Sequence, residues 1–311
     1  MRVVRSSFTG NSAVSGGAID NLLSEMTLVE STFVDNQAFS GGGAVYDDGA
    51  SQYTDDDVGG TIRICGCRFE GNTTLSTGGA VYLYAYYPDR FIISQSSFVS
   101  NSAVRPADGS ALGGALRTGN APLQLSSSLF AENHADAPGG AYWQHGTFPA
   151  SVTNCTFYRN TAGVEGEEGG YGGALSGFNM QLSNLTFVEN HAEWSGGAIS
   201  SEGDEWTLHD SVFLDNTSNN PWDHAQTCVD EIPGGNNLQW PEPESGDALC
   251  SAGITVADPG LGDLSDNGGP TQTIPLLPDS PARGAGQDCP ETDQRGEPRP
   301  TDCDLGAFEA P

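Results

Sequence analysis

The chain has 311 residues, 41 of them acidic and 11 basic; every basic residue is an arginine, none is a lysine, and the formal net charge is −30. A surface of that sign repels polyanions, which argues against nucleic acid and anionic membranes as partners. No apolar run approaches the roughly 20 residues needed for a membrane-spanning helix, and no secretory leader precedes the first motif, so the reading has no transmembrane segment.

From the N-terminus onward one motif recurs. Phe-x-x-Asn appears as Phe8 and Asn11, Phe33 and Asn36, Phe69 and Asn72, Phe98 and Asn101, Phe130 and Asn133, Phe157 and Asn160, Phe187 and Asn190, and Phe213 and Asn216. The first seven are each followed by Gly-Gly-Ala and a further apolar residue, and the phenylalanines lie 25 to 36 residues apart, a solenoid period with insertions. Five residues before each Phe stand Val3, Leu28, Ile64, Ile93, Leu125, Val152, Leu182 and Leu208, and two residues earlier a second apolar column. Apolar positions at spacing two predict a half-buried strand in every repeat. The residue after each Gly-Gly-Ala adds an inward column of Ile19, Val45, Val81, Leu116, Tyr142, Leu175 and Ile199. The expectation is an all-β, single-stranded right-handed parallel β-helix of about eight coils, with about three short strands per coil.

Stacked coils bring like positions together at roughly 4.8 Å. The phenylalanines then form a stack and the asparagines a ladder, each Asn sitting in a left-handed corner and bonding to its equivalent in the next coil. The paired glycines provide a second corner. A residue needed in every coil reads as architecture, since a catalytic group is needed once.

These motifs resemble the repeat of chlamydial polymorphic outer-membrane proteins and related bacterial β-helix surface proteins. The C-terminal segment DPGLGDLSDNGGPTQTIPLLPDSPARGAG from Asp258, with DQRGEPRP from Asp293 and CDLGAFE from Cys303, resembles the tail of choice-of-anchor Q extracellular proteins. The resemblance implies an extracellular or cell-surface location, with an anchor or sorting signal after the tail. The domain reading is repeats over 1–217, an irregular last-coil extension over 218–257 and a Pro/Gly-rich tail over 258–311 that folds over the last coil as a cap. Met1 already occupies an inward position, so the first coil is read as an uncovered edge open to end-to-end association, and an upstream stretch is expected.

Seven cysteines fit an oxidising compartment. Cys228 with Cys250 and Cys289 with Cys303 bracket irregular segments, and a disulfide is expected in each. Cys67 and Cys155 lie three coils apart, too far to join; with Cys65 they are read as small buried fillers.

Function must lie in what differs between coils. The insertion beginning at Asp47 carries Asp47, Asp48, Asp55, Asp56 and Asp57, oxygen ligands that suit Ca2+, although without the spacing of a formed calcium loop. The outward column one residue further on from Ile19 and its equivalents runs Asp20, Tyr46, Tyr82, Arg117, Trp143, Ser176 and Ser200, with Tyr84 and Tyr86 along the same face. Exposed rings suit sugar faces, and Arg117 suits a carboxylate or sulfate. The reading is a noncatalytic module for adhesion to glycans or to a host or neighbouring cell surface. The alternatives are a polysaccharide lyase or glycosidase, for which no catalytic series is evident, and a passive spacer; the dispersed histidines, with His134 and His191 directly after ladder asparagines, read as corner residues.

Overall fold

The computed structural model describes residues 1–51, 59–105, 110–219, 226–243 and 247–311. Among them there is no helix, and the chain winds as a parallel β-solenoid of eight regular coils. Each coil supplies four short strands, in the first coil Arg2–Val4, Ser7–Thr9, Ser12–Ala13 and Ile19–Leu22. Like strands of successive coils pair in parallel, forming a first, second, third and fourth sheet of nine, ten, eight and seven strands. The pairing keeps the repeat in register, with Val3 opposite Leu28, Phe33 opposite Phe69 and Val81 opposite Leu116. The sequence predicts about three strands per coil; the additional one is the two-residue strand after each ladder Asn, too short to leave a period in the sequence.

Inside the solenoid the eight phenylalanines form one continuous stack, with neighbouring ring centroids 4.6–5.1 Å apart. Beside it runs the asparagine ladder. From Asn36 on, each Asn Oδ1 accepts both the backbone N–H and the Nδ2–H of the Asn one coil earlier, at 2.8–3.1 Å. The second Nδ2 proton goes to the carbonyl of the preceding coil's Phe, at 3.0 Å in every case. The expectation that the Asn itself takes the left-handed conformation is corrected: the residue before it does, as at Asp35, Ser100, Glu132, Arg159, Glu189 and Asp215, with φ of 51–57°. The Asn backbone is left free to donate into the ladder.

At the other corner the two glycines have different duties. Gly78 has φ +69°, a left-handed turn that a side chain would strain. Gly79 has ordinary φ, but a Cβ there would stand 1.8 Å from the carbonyl oxygen of Gly114 in the next coil. One glycine makes the turn and its neighbour lets adjacent coils touch.

The segment expected to be irregular after residue 217 carries the solenoid further, through Gly234–Gly235, Leu238–Trp240 and Thr255–Val256. Its Cys228–Cys250 disulfide is fully buried and, with Ile232 and Ile254, closes the C-terminal end of the core. The tail over 258–311 packs on the solenoid from outside. It lies along the outer face of the second sheet, where Val212, Leu238, Leu276, Ala282, Leu305 and Phe308 form a separate apolar cluster. Thr156 Oγ1 donates to Gln294 Oε1, Ala307 N–H to Thr186 Oγ1 and Gly306 N–H to the Asp210 carbonyl, so the tail bridges several coils. Within it Arg299 pairs with Glu309 at 2.8 Å, Arg295 lies 3.7 Å from the Phe308 ring centroid, and Cys289 is joined to Cys303. The reason for this course is that the outward residues Leu129, Ala131, Val188 and Val212 are apolar and need cover. Cys65, Cys67 and Cys155 are free thiols; Cys67 and Cys155 are buried as expected, while Cys65 points outward and is half-buried.

Asn133 takes part in four side-chain hydrogen bonds inside the ladder, whereas Asn11 lies at its exposed end. Asn133→Ala should cost about 3 kcal/mol or more in urea unfolding, because it leaves buried donors and acceptors unsatisfied, and Asn11→Ala about 1 kcal/mol or less. Equal losses at the two positions would contradict a load carried coil to coil.

Candidate functional site

The fourth sheet carries the residues that vary most in chemistry between coils. Its strands, such as Val45–Asp48, Val81–Tyr84, Leu116–Gly119 and Tyr142–His145, alternate inward and outward side chains. Register aligns Asp20, Tyr46, Tyr82, Arg117, Trp143, Ser176 and Ser200 in one outward column. Tyr46 and Tyr82 stack at 4.8 Å between centroids, 10° from parallel. The Arg117 guanidinium carbon lies 4.4 Å from the Tyr82 centroid, 5.5 Å from that of Tyr84 and 5.6 Å from that of Trp143. Trp143 in turn packs on His145 at 5.5 Å and is buried.

This geometry revises the expected sugar platform. Rings repeated at the coil spacing turn their faces to one another, so Tyr46, Tyr82 and Trp143 spend those faces within the column, and Trp143 is hidden. The aromatic surface left in solvent lies at the strand ends: Tyr86 is 41% and Tyr87 67% exposed. Tyr84 meets Tyr86 edge to face at 5.6 Å, Tyr86 donates its hydroxyl to Asp48 Oδ1, and Tyr87 stacks on Phe148. Two clefts of about 430 Å³ flank this edge, one lined by Leu22, Leu23, Asp48 and Tyr86, the other including His145, Phe178, Asn179 and Glu202. Sequence reasoning passed over Tyr87 and the second cleft, which lies in turns without a periodic signal.

Electrostatics follow the burial. Burial raises the Tyr46 hydroxyl to about 12, with Tyr82 adding to the shift, and raises Tyr82 in spite of Arg117. His145 is lowered by burial first and by Arg117 second. Arg117 itself is lowered by burial.

Of the acidic residues proposed for calcium, the two that are described diverge. Asp47 and Asp48 are consecutive on a strand and so point to opposite faces; Asp47 is fully buried inside the solenoid and Asp48 is half-exposed outside it. Asp55, Asp56 and Asp57 lie outside the described residues, and among the described residues no three His, Cys, Asp or Glu side chains are placed to hold a metal. Asp47 Oδ1 accepts from Asn21 Nδ2 at 2.6 Å, while its Oδ2 has no partner among the described residues. Asp89, also buried, accepts from Ala50 N, Gly60 N and Ser51 Oγ and ties together the stem of the insertion. His134 and His191 bond to Thr161 and Thr217 of the following coils, a ladder role.

A family model, the Chlamydia polymorphic membrane protein repeat, matches residues 5–21 and 184–202. Each match spans one Phe-x-x-Asn and one Gly-Gly-Ala-Ile, the two corners of a coil. No curated protein matches the chain. The protein is a β-solenoid whose repeats resemble that of the polymorphic membrane proteins, with two disulfides in its C-terminal part. No helix among the described residues is long and apolar enough to cross a membrane.

Burial raises the Asp47 carboxyl to about 8, against an opposing hydrogen bond from Asn21 and with help from Asp48 and Asp89. In the unfolded chain the group ionises near 4. The folded state thus holds a proton that the unfolded state has released, and stability from this group falls as pH rises from about 4 to about 8 and then levels. In urea titrations the stability of the native chain relative to Asp47→Asn should decline across that window. A difference independent of pH would show that Asp47 is not a buried neutral acid.

Proposed function

We propose that this is a noncatalytic surface module for adhesion, and that it holds glycans along the fourth-sheet edge. The observation that carries the reading is the exposed aromatic strip of Tyr86 and Tyr87 between two clefts, at the strand ends of a solenoid whose remaining regular positions are taken by the ladder, the stack and the core. Sugars offer flat C–H faces and many hydroxyls. Tyrosines exposed on one face, with carbonyls and hydroxyls at the turn, answer both. A solenoid repeats its surface every 4.8 Å or so, which suits a polymer bound along the axis. The repeat type together with the disulfides supports an extracellular setting.

Acidic residues are plentiful, yet hydrolysis needs two carboxylates set across a bond and lyase chemistry needs a base beside a cation. The fourth-sheet edge is read as binding without turnover. Incubation with acidic and neutral polysaccharides should yield retention on immobilised glycan and no new reducing ends or unsaturated products. Tyr86→Ala with Tyr87→Ala should weaken retention about tenfold, a loss of about 1.4 kcal/mol, at an unchanged unfolding midpoint. Full retention by the double variant would remove this edge as the binding surface.

A further inference from the structure

Arg117 is unusual in this chain. Most of the other arginines with described partners meet a carboxylate: Arg5 pairs with Glu30, Arg68 with Glu70, Arg159 with Glu189, Arg295 with Asp293 and Arg299 with Glu309. Arg117 makes no ion pair or hydrogen bond with any described residue, and its Nη1 is buried without a partner. A guanidinium seldom stays so, because its five N–H groups are costly to leave unmet.

The surroundings hold it in place without neutralising it. Tyr82, Tyr84 and Trp143 ring the guanidinium, and the strand beneath it is stripped back to glycine. A Cβ at Gly119 would come within 3.2 Å of Nη1, 3.3 Å of His145 Cβ and 3.4 Å of the Tyr84 ring. Any side chain there would therefore displace the arginine. The side groups packed on it from its own and the two adjoining coils, Tyr82, Tyr84, Trp143 and His145, are aromatic, and burial favours the neutral form of the imidazole. The acidic neighbours are engaged elsewhere: Asp48, paired with Tyr84 in register, accepts the Tyr86 hydroxyl, and Glu202, opposite Phe178, faces the Trp143 indole from the far side of the column. In a chain of net charge −30, Arg117 is a positive charge that no described carboxylate pairs with, on the face just described.

We propose that Arg117 is an anion-recognition residue, taking the carboxylate of an acidic sugar unit in a glycan laid along the fourth sheet. The inference rests on the glycan reading above and adds the ligand's charge. Stacking fixes the plane of the guanidinium, and with Nη1 buried the Nε and Nη2 side is left as the donor surface, the geometry that a carboxylate meets with two parallel hydrogen bonds. Because the rings already order the side chain, little rotamer entropy remains to be lost on binding. The tyrosine hydroxyls of the same column lie beside it to meet ring hydroxyls.

The test measures binding of the full chain to oligogalacturonate, to its carboxyl-reduced neutral counterpart and to a sulfated neutral oligosaccharide, with free methyl glucuronide followed by tryptophan emission. Oligogalacturonate should bind at least tenfold more tightly than the reduced form. Arg117→Gln should abolish that preference, Arg117→Lys should keep part of it, and Gly119→Ala, which leaves the charge but moves it, should reduce it as well. Equal binding of acidic and reduced glycans, or a preference unchanged in Arg117→Gln and Gly119→Ala, would overturn the proposal, and tight binding of the sulfated glycan alone would overturn the carboxylate assignment. An Arg117-dependent response to methyl glucuronide without retention of any polymer would uphold the anion site while removing the glycan-adhesion reading; retention of neutral glycans without acid preference would do the reverse.

Discussion

The hydrogen bond from one asparagine to the next, repeated in every coil, is the constraint on which the rest of the structure depends. A solenoid coil cannot bury its inward face alone; it becomes stable only against a neighbour. The ladder makes that dependence specific, because each amide is satisfied only by an Asn at the same place in the adjoining coil, with its corner carbonyl in register. The phenylalanine stack supplies apolar burial and the ladder supplies register, so a one-residue slip would lose both at once.

From that constraint comes the division of labour. Inward columns are fixed by the stack, the corner residues by backbone geometry, and the flank of the second sheet by the tail that lies on it. What remains free to differ is the outward side of the fourth sheet and the turns that leave it. There the chain departs from its own pattern, placing a stacked arginine among aromatic rings and a glycine in a strand. Departures from local regularity that bring no evident gain in stability are the positions at which the proposed recognition is placed.

Much of this was legible in the sequence because it is said many times. Phe8 to Phe213 and Asn11 to Asn216 mark the coils, and both disulfides follow from where four cysteines fall. Asp47 could have been placed too: strand alternation from Val45 puts it inside, but an acidic residue beside an acidic run reads as surface. The burial of Trp143 and the stacking of Tyr46 on Tyr82 face to face depend on how adjacent coils orient their rings, which spacing alone does not fix. The path of the tail was beyond reach for a different reason. Its partners, such as Gln294 for Thr156, are separated by 138 residues and share no period.

The most direct test of the account is hydrogen exchange on the full chain with and without oligogalacturonate. In both states the backbone amides of Asn36 through Asn190, which donate to side-chain oxygens of the next coil, should be among the slowest to exchange. Bound glycan should add protection around Tyr82 to Tyr87, Arg117 to Gly119 and Trp143 to Gly146. Ladder amides exchanging as fast as the exposed turns, or protection appearing on the tail or the third sheet instead of this edge, would contradict it.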